Sequence, residues 1–187
     1  MRTWWWSSNW TRFKRVYVER EHGLPFLQGS HLVHFDPADI KYVSLKAHER
    51  RMDSLLIRAH WVLITRSGTI GRVAVAPRQW DGWAASEHIM RIVPRDRDET
   101  APPGYLAAFL RSFPGQAQLT SSIYGAVVDE ITEEQTRAVL VPVAKTAAQR
   151  RAVQQIDATV MEAVRRQGEA VKLVGESQEA VTRLIGG

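Results

Sequence analysis

Apolar positions change period along this chain, and each change marks an element. In Trp61-Val-Leu-Ile-Thr-Arg-Ser-Gly-Thr-Ile-Gly-Arg-Val-Ala-Val75, β-branched residues crowd both sides of Ser67-Gly68, with a second glycine at Gly71. Such residues fit a pleated surface better than a helix. The segment therefore predicts a hairpin with strands over 61–65 and 71–76, ended by Pro77. Shorter strand patterns fall at 16–18, 41–44 and 86–93, the last ending at Pro94. Gly23-Leu-Pro-Phe-Leu-Gln-Gly29 is a short apolar run bracketed by glycines, which fits an edge strand. Asp36-Pro37 marks a turn, and Asp39 is a candidate cap for a short helical piece. The charged run 46–52 is irregular or briefly helical, Trp80-Asp-Gly-Trp83 is a turn, and 95–103 is a loop.

Beyond residue 103 the period lengthens. Tyr105, Leu106, Phe109 and Leu110 share one helical face, predicting a helix over 104–112. A second follows over 116–122, broken at Tyr124-Gly125, and Val127-Val128 is a brief strand candidate. Thr132, followed by Glu133 and Glu134, starts a helix with acids at the positive end of its dipole. Residues 139–143 predict a last strand, with Pro142 tolerated at an edge.

From Thr146 the pattern is helical to the end. Val153, Ile156, Val160, Ala163, Ala170, Val174, Val181 and Leu184 recur in steps of three and four, like the seam of a coiled coil. Gln167 and Ser177 interrupt the seam, and Gly168 and Gly175 each weaken the helix by roughly 1 kcal/mol relative to alanine. A rod on the order of 58 Å long is expected to need a partner helix, in the same complex or in a second copy. The alternative is a helix folded back over its own sheet.

Composition narrows the class. The chain of 187 residues suits one domain plus an extension. An apolar fraction of 44% allows a real core. No apolar run reaches the ~18 residues of a membrane span. Polar residues follow Trp4-Trp5-Trp6 at once, unlike a signal peptide. With no cysteine there is no disulfide framework or thiolate metal site. The expectation is a cytoplasmic protein without a membrane partner.

The net charge of +5 is unevenly placed: residues 40–80 hold 8 Lys and Arg against 2 Asp and Glu. A basic concentration of this kind attracts phosphates in a salt-sensitive way; the alternative is a solvated surface. Candidates for phosphate or base contact are Lys41, Lys46, Arg50, Arg51, Arg58, Arg66, Arg72 and Arg78, with Ser67 and Gln79 as polar helpers. Trp61, Trp80 and Trp83 can stack on bases, but core packing is the stronger expectation.

Other chemistry is thin. His31 and His34 stand three apart without a carboxylate at a useful offset, a poor metal site. Gly68-Thr-Ile-Gly71 is too short for a phosphate loop and lacks the Lys-Ser/Thr that would follow. Asp39-Ile-Lys41 has the acid-x-lysine spacing of nucleases, a triplet common by chance. Ala101-Pro-Pro-Gly104 resembles the tetrapeptide of amino-methyltransferases only in its prolines, since Ala101 replaces the polar residue. No serine sits in a nucleophile elbow. No catalytic residue, metal or cofactor is assigned.

Four stretches together resemble the specificity subunit of type I restriction-modification systems. They are Gly23-Leu-Pro-Phe-Leu-Gln-Gly29; the block 55–72 with Leu63-Ile-Thr-Arg-Ser-Gly-Thr-Ile-Gly-Arg72; Gly104-Tyr-Leu through Ser112 and then Tyr124-Gly125; and 131–149, with Val139-Leu-Val-Pro-Val143 ahead of Gln149. Where the family has two prolines, Val141-Pro-Val-Ala-Lys145 has one, and the Trp-rich N-terminus has no counterpart.

The resemblance implies an α+β fold. A small mixed or antiparallel β-rich target-recognition domain over 1–145 precedes one long C-terminal helix over 146–187, which forms an antiparallel coiled coil with a partner. It implies a non-catalytic subunit that reads half of a split target in double-stranded DNA and docks a DNA adenine methyltransferase. With one domain and one helix, the chain is a half-subunit that pairs with a second copy, or part of a larger arrangement. The partner seam is then Val153, Ile156, Val160, Ala163, Val174, Val181 and Leu184. The competing functions are a protein-interaction adaptor built on the helix, and a small nuclease using Asp39 and Lys41.

Overall fold

The computed structural model of the protein describes residues 6–8, 13–34, 37, 39–93, 100–121 and 130–186. Within them lie strands β1 (Trp6–Ser8), β2 (Tyr17–Val18), β3 (Gly23–Leu27), β4 (Lys41–Ser44), β5 (Val62–Thr65), β6 (Val73–Val75), β7 (Ala84–Ala85) and β8 (Ile89–Val93). The α-helices are α1 (Met52–Leu55), α2 (Pro103–Arg111), α3 (Phe113–Thr120), α4 (Glu133–Ala138) and α5 (Ala147–Ile185). The strands form two sheets, ordered β1-β8-β5-β6 and β2-β4-β3-β7. The fold is α+β, two small sheets and a long terminal helix. No helix among the described residues is long and apolar enough to cross a membrane.

The predicted hairpin is β5 and β6, antiparallel, with Val62 opposite Val75 and Ile64 opposite Val73. All four residues of β5 are buried, because the first sheet is covered on both faces. Val62, Ile64, Val73, Val75, Met90 and Ile92 face a core built with α2, α3 and the segment holding Ile131, Val139 and Val141. Leu63 and Ile89 face the opposite way, toward Phe26, Leu27, Val43 and Ala84 of the second sheet. Alternation is thus present, but both sides are apolar, which gives an unbroken apolar strand.

Several expectations change. Residues 23–29 do not form an edge strand: β3 lies inside its sheet, antiparallel to β4 and parallel to β7. Pro25 is tolerated because β7 pairs only Phe26 and Leu27, leaving Pro25 a neighbour on one side. Asp39 caps no helix; it sits at φ +56° just before β4. The strand over 86–93 is shortened to β8 by a turn in which Ile89 N donates to Ser86 O at 3.0 Å.

Residues 139–143 form no strand. Gln118 replaces the missing neighbour: its Oε1 accepts from Leu140 N at 2.8 Å, and its Nε2 donates to Leu140 O at 3.3 Å. Tyr105 donates its hydroxyl to Pro142 O at 3.0 Å. Backbone groups needing partners find them on α2 and α3 instead of a sheet. Tyr124-Gly125, Val127-Val128 and Pro94 lie outside the described residues.

Thr132 and Thr146 both open helices with capping boxes, closed by Gln135 and Gln149. The second is α5, 39 residues long. Its first part packs on the chain's own domain, which corrects the expectation of a wholly unpartnered stripe. Val153 is 6% exposed, and Val160, Met161 and Val164 pack on the first core. Val153 and Val160, assigned to the partner seam, therefore face inward. At the crossing with α2, a Cβ on Gly104 would stand 2.7 Å from Asp157 O. Only glycine lets the two backbones come this close. Asp157 Oδ1 then accepts from Gly104 N at 2.7 Å, satisfying an orphan donor in the first turn of α2. Ala101-Pro-Pro-Gly104 is thus a helix start shaped for a neighbour.

Candidate nucleic-acid interface

The loop joining β5 to β6 is tied down by Thr65. Its carbonyl accepts from Gly71 N at 2.9 Å, its hydroxyl oxygen accepts from Arg72 N at 3.0 Å, and the hydroxyl donates to Thr69 O. Gly71 takes φ +76°, a left-handed conformation that costs other residues. Gln116 of α3 fastens the loop from outside, donating to Gly71 O at 2.9 Å and Leu110 O at 2.7 Å. The loop is therefore a braced platform carrying Ser67, Thr69 and Arg72.

A cleft opens on each side of it. The larger, about 830 Å³, runs between the loop, a 3₁₀ turn (Gly29–Val33) and the helices, and is lined by His34, Arg72, Arg111, Gln116 and Gln167. Gln167 comes from α5, so the arm helps to build this cleft. The smaller, about 280 Å³, is lined by Arg15, Gln28, Ser30, Ser67, Thr69 and His88. There Ser67 Oγ stands 2.5 Å from His88 Nδ1. His88 Nε2 is 3.7 Å from Glu87 Oε1, which Arg15 holds at 2.6 Å. Burial pushes the Glu87 carboxyl up, but the hydrogen bonds from Arg15 and the backbone, with the charge of Arg15, outweigh it and hold the group below the ordinary carboxylate range. Glu87 is thus an anion spent mainly on Arg15. At 3.7 Å Glu87 makes no hydrogen bond to His88, so it biases the charge distribution on the ring without forming the bonded triad that activates a nucleophile, and the arrangement positions Ser67 more than it activates it.

The basic residues of 40–80 are not one patch. Arg72 and Ser67 stand on the platform. Arg66 is turned into the protein, its Nε 2.7 Å from Glu130 Oε1. Arg58, Arg78 and Gln79 flank the other end of the hairpin. Arg58 lies 4.0 Å from Asp81, and Arg78 and Gln79 line a cleft against α5 with Glu162, Arg165 and Glu169. Gln79 closes over the buried Gly168. Lys41 and Lys46 are exposed on the second sheet and the 3₁₀ turn after it, with Arg50 in the same turn; Lys41 Nζ sits 5.2 Å over the Tyr17 ring. The side chain of Arg51 lies outside the described residues. Trp80 is buried, and Trp61 and Trp83 pack on the second core, with Arg91 over Trp61 at 5.5 Å. His31 is also built in: its Nδ1 accepts from Gln28 N at 3.2 Å, and burial, then His34, lower its pKa against the pull of Asp39. Among the described residues no three potential ligands converge on a metal position.

Sequence reasoning missed Arg15, Gln28, Ser30, His88, Arg111 and Gln167. They come from five separate places in the chain, Gln28 and Ser30 sharing one, and meet only through tertiary packing. Gln167 had a hint, since it interrupts the apolar seam of the last helix.

On α5 an outer face remains. Ile156 is 40% exposed, Ala163 is exposed, and Val174, Val181 and Leu184 are 40%, 56% and 84% exposed. Leu173, Val174, Ser177, Gln178, Val181 and Thr182 line a hollow along this end.

No family model matches the sequence, and no curated protein matches it. Solved structures do. A chain from a structure of type I R-M system complex assembly and conformational transition is 18% identical at TM-score 0.53, over 98% of this chain and 44% of that one. The HsdS subunit from Thermoanaerobacter tengcongensis is 20% identical at TM-score 0.51, over 97% of this chain and 47% of that one. The chain spans less than half the length of either. Its fold is the one found in about half of an HsdS subunit.

Proposed function

We propose that the protein is a sequence-specific DNA-binding specificity module of a type I restriction-modification system, or of a related methyltransferase-based defence system. It reads one half of a split target in double-stranded DNA and docks a DNA adenine methyltransferase. The module is non-catalytic, needs no cofactor and works in the cytoplasm. One observation carries the reading: the likeness to the HsdS subunit takes in 97% of this chain, long helix included, but 47% of that subunit. The domain and arm thus correspond to about half of that subunit. A second copy, paired through Ile156, Ala163, Val174, Val181 and Leu184, restores the whole with an isologous contact.

In this reading the braced loop enters a groove of the duplex. Arg72 and Arg111 meet phosphates from the larger cleft, and polar groups of the smaller cleft face base edges. Lys41, Lys46 and Arg50 extend the positive field, while Arg66 holds the loop through Glu130. Arg58, Arg78 and Gln79 flank the arm.

The test is selection from random-sequence duplexes by the full chain with its methyltransferase subunit. The expected result is enrichment of an interrupted, two-part sequence, with log affinity falling against log salt by about 0.9 per phosphate contact. Recovery of DNA without any sequence enrichment, or no recovery at all, overturns the proposal.

A further inference from the structure

A serine hydroxyl ordinarily reads either kind of base-edge group, since it donates one proton and accepts through two lone pairs. Ser67 shares its hydroxyl with a neighbouring ring. Its Oγ lies 2.5 Å from His88 Nδ1, a distance that requires one of the two to give a proton. The choice is set on the far side of the ring. His88 Nε2 faces Glu87 Oε1 at 3.7 Å, and Glu87 is held as a carboxylate by Arg15 at 2.6 Å. A bare ring nitrogen facing an anion is repelled, and an N–H facing it is attracted. In the neutral form of the ring this favours the tautomer with its proton on Nε2, which leaves Nδ1 as an acceptor. Ser67 must then donate to Nδ1, and only its lone pairs remain for a ligand.

The backbone keeps this pair together. Arg66 N donates to His88 O at 2.9 Å, which sets Ser67 beside the ring. His88 N donates to Ser86 Oγ at 3.3 Å within the turn that precedes β8. His88 keeps 40% of its side chain exposed. Ser67 lines the smaller cleft with Gln28, Ser30 and Thr69, of which Ser30 and Thr69 are exposed. A base edge thus has an open approach to Ser67 Oγ.

We infer that Ser67 is a specificity-determining residue locked as a hydrogen-bond acceptor, and that it selects an exocyclic amino group, adenine N6 or cytosine N4, over the carbonyl of guanine or thymine. His88 is its positioning residue. The inference rests on the DNA-reading role proposed above and names the chemistry that one part of that surface accepts.

The test is sequence selection with the full chain and its methyltransferase subunit, comparing wild type with Ser67→Ala, His88→Leu and His88→Asn. Wild type is expected to prefer adenine or cytosine at one position by about five- to tenfold. Ser67→Ala and His88→Leu relax that position alone. His88→Asn, whose amide oxygen can take the place of Nδ1 as acceptor, keeps the preference. In every variant the salt dependence of binding stays as in wild type, which shows that the protein is folded and on DNA. A duplex with purine in place of adenine at that position weakens wild type and leaves Ser67→Ala unaffected. If Ser67→Ala and His88→Leu keep every wild-type preference, the inference fails and the DNA-reading role stands. If wild type enriches no sequence, that role fails and the inference with it.

Discussion

The two halves of α5 have the same kind of apolar spacing and different fates. Between Val153 and Gly168 the helix is bound to its own domain, through aliphatic contacts, through the Gly104–Asp157 crossing and through Gln79 over Gly168. From Lys172 to Ile185 Gly175 alone is even half-buried, and Leu184 and Ile185 are 84% and 81% exposed. A periodic stripe says that a face is to be covered, but not by what. The residues at the crossing do say: small ones, Gly104 and Gly168, mark where another part of the same chain comes close. Among the described residues Val174, Val181 and Leu184 have no such neighbour, and they suit a helix from another molecule.

Matched substitutions measure this difference. Val153→Asp places an uncompensated charge where the side chain is 6% exposed. It is expected to cost about 3 kcal/mol or more, read as a drop in the urea midpoint at constant slope. A loss below about 0.5 kcal/mol would show that the inner half is held no better than the outer and would break the comparison. Asp157→Ala removes the acceptor that serves Gly104 N at 2.7 Å. By analogy with the loss of a helix cap it is expected to cost about 1 kcal/mol, and Asp157→Asn, which keeps an acceptor, less. Equal losses for the two variants would mean that the crossing depends on charge and not on the hydrogen bond.

The same residues show how far sequence reasoning reaches. Local signals were legible: β-branched density over 61–75, Thr132 with two glutamates at a helix start, the helical period from Thr146, and proline and glycine at the turns. What depends on distant packing was not. The 139–143 run looks like a strand because Val139 and Val141 are buried, yet its hydrogen-bond partner is the side chain of Gln118, which no alternation rule anticipates. The basic run of 40–80 is continuous in sequence, but the hairpin sends Arg72 to one end and Arg78 to the other. Ser67 was singled out as a polar helper, while His88, which sets its hydrogen-bond polarity, stands 21 residues away. Charge density located the hairpin and could not orient it.

The smallest expected effect on folding belongs to the substitution that matters most for assembly. Val181 is 56% exposed, so Val181→Asp removes little packing within the chain, and the urea midpoint should move by no more than about 0.5 kcal/mol. If the outer face is where a second copy sits, the same change buries a charge at the seam of that pair and turns the associating protein into a monomer, read by sedimentation over a range of concentrations. Leu184→Ser should act in the same direction and more weakly, since the helix end frays. Two results would sink this picture. One is a stability loss as large as that of Val153→Asp, which would mean that the outer half folds back in solution. The other is unchanged association, which would move the partner surface off α5 altogether and leave its exposed leucines and valines without an occupant.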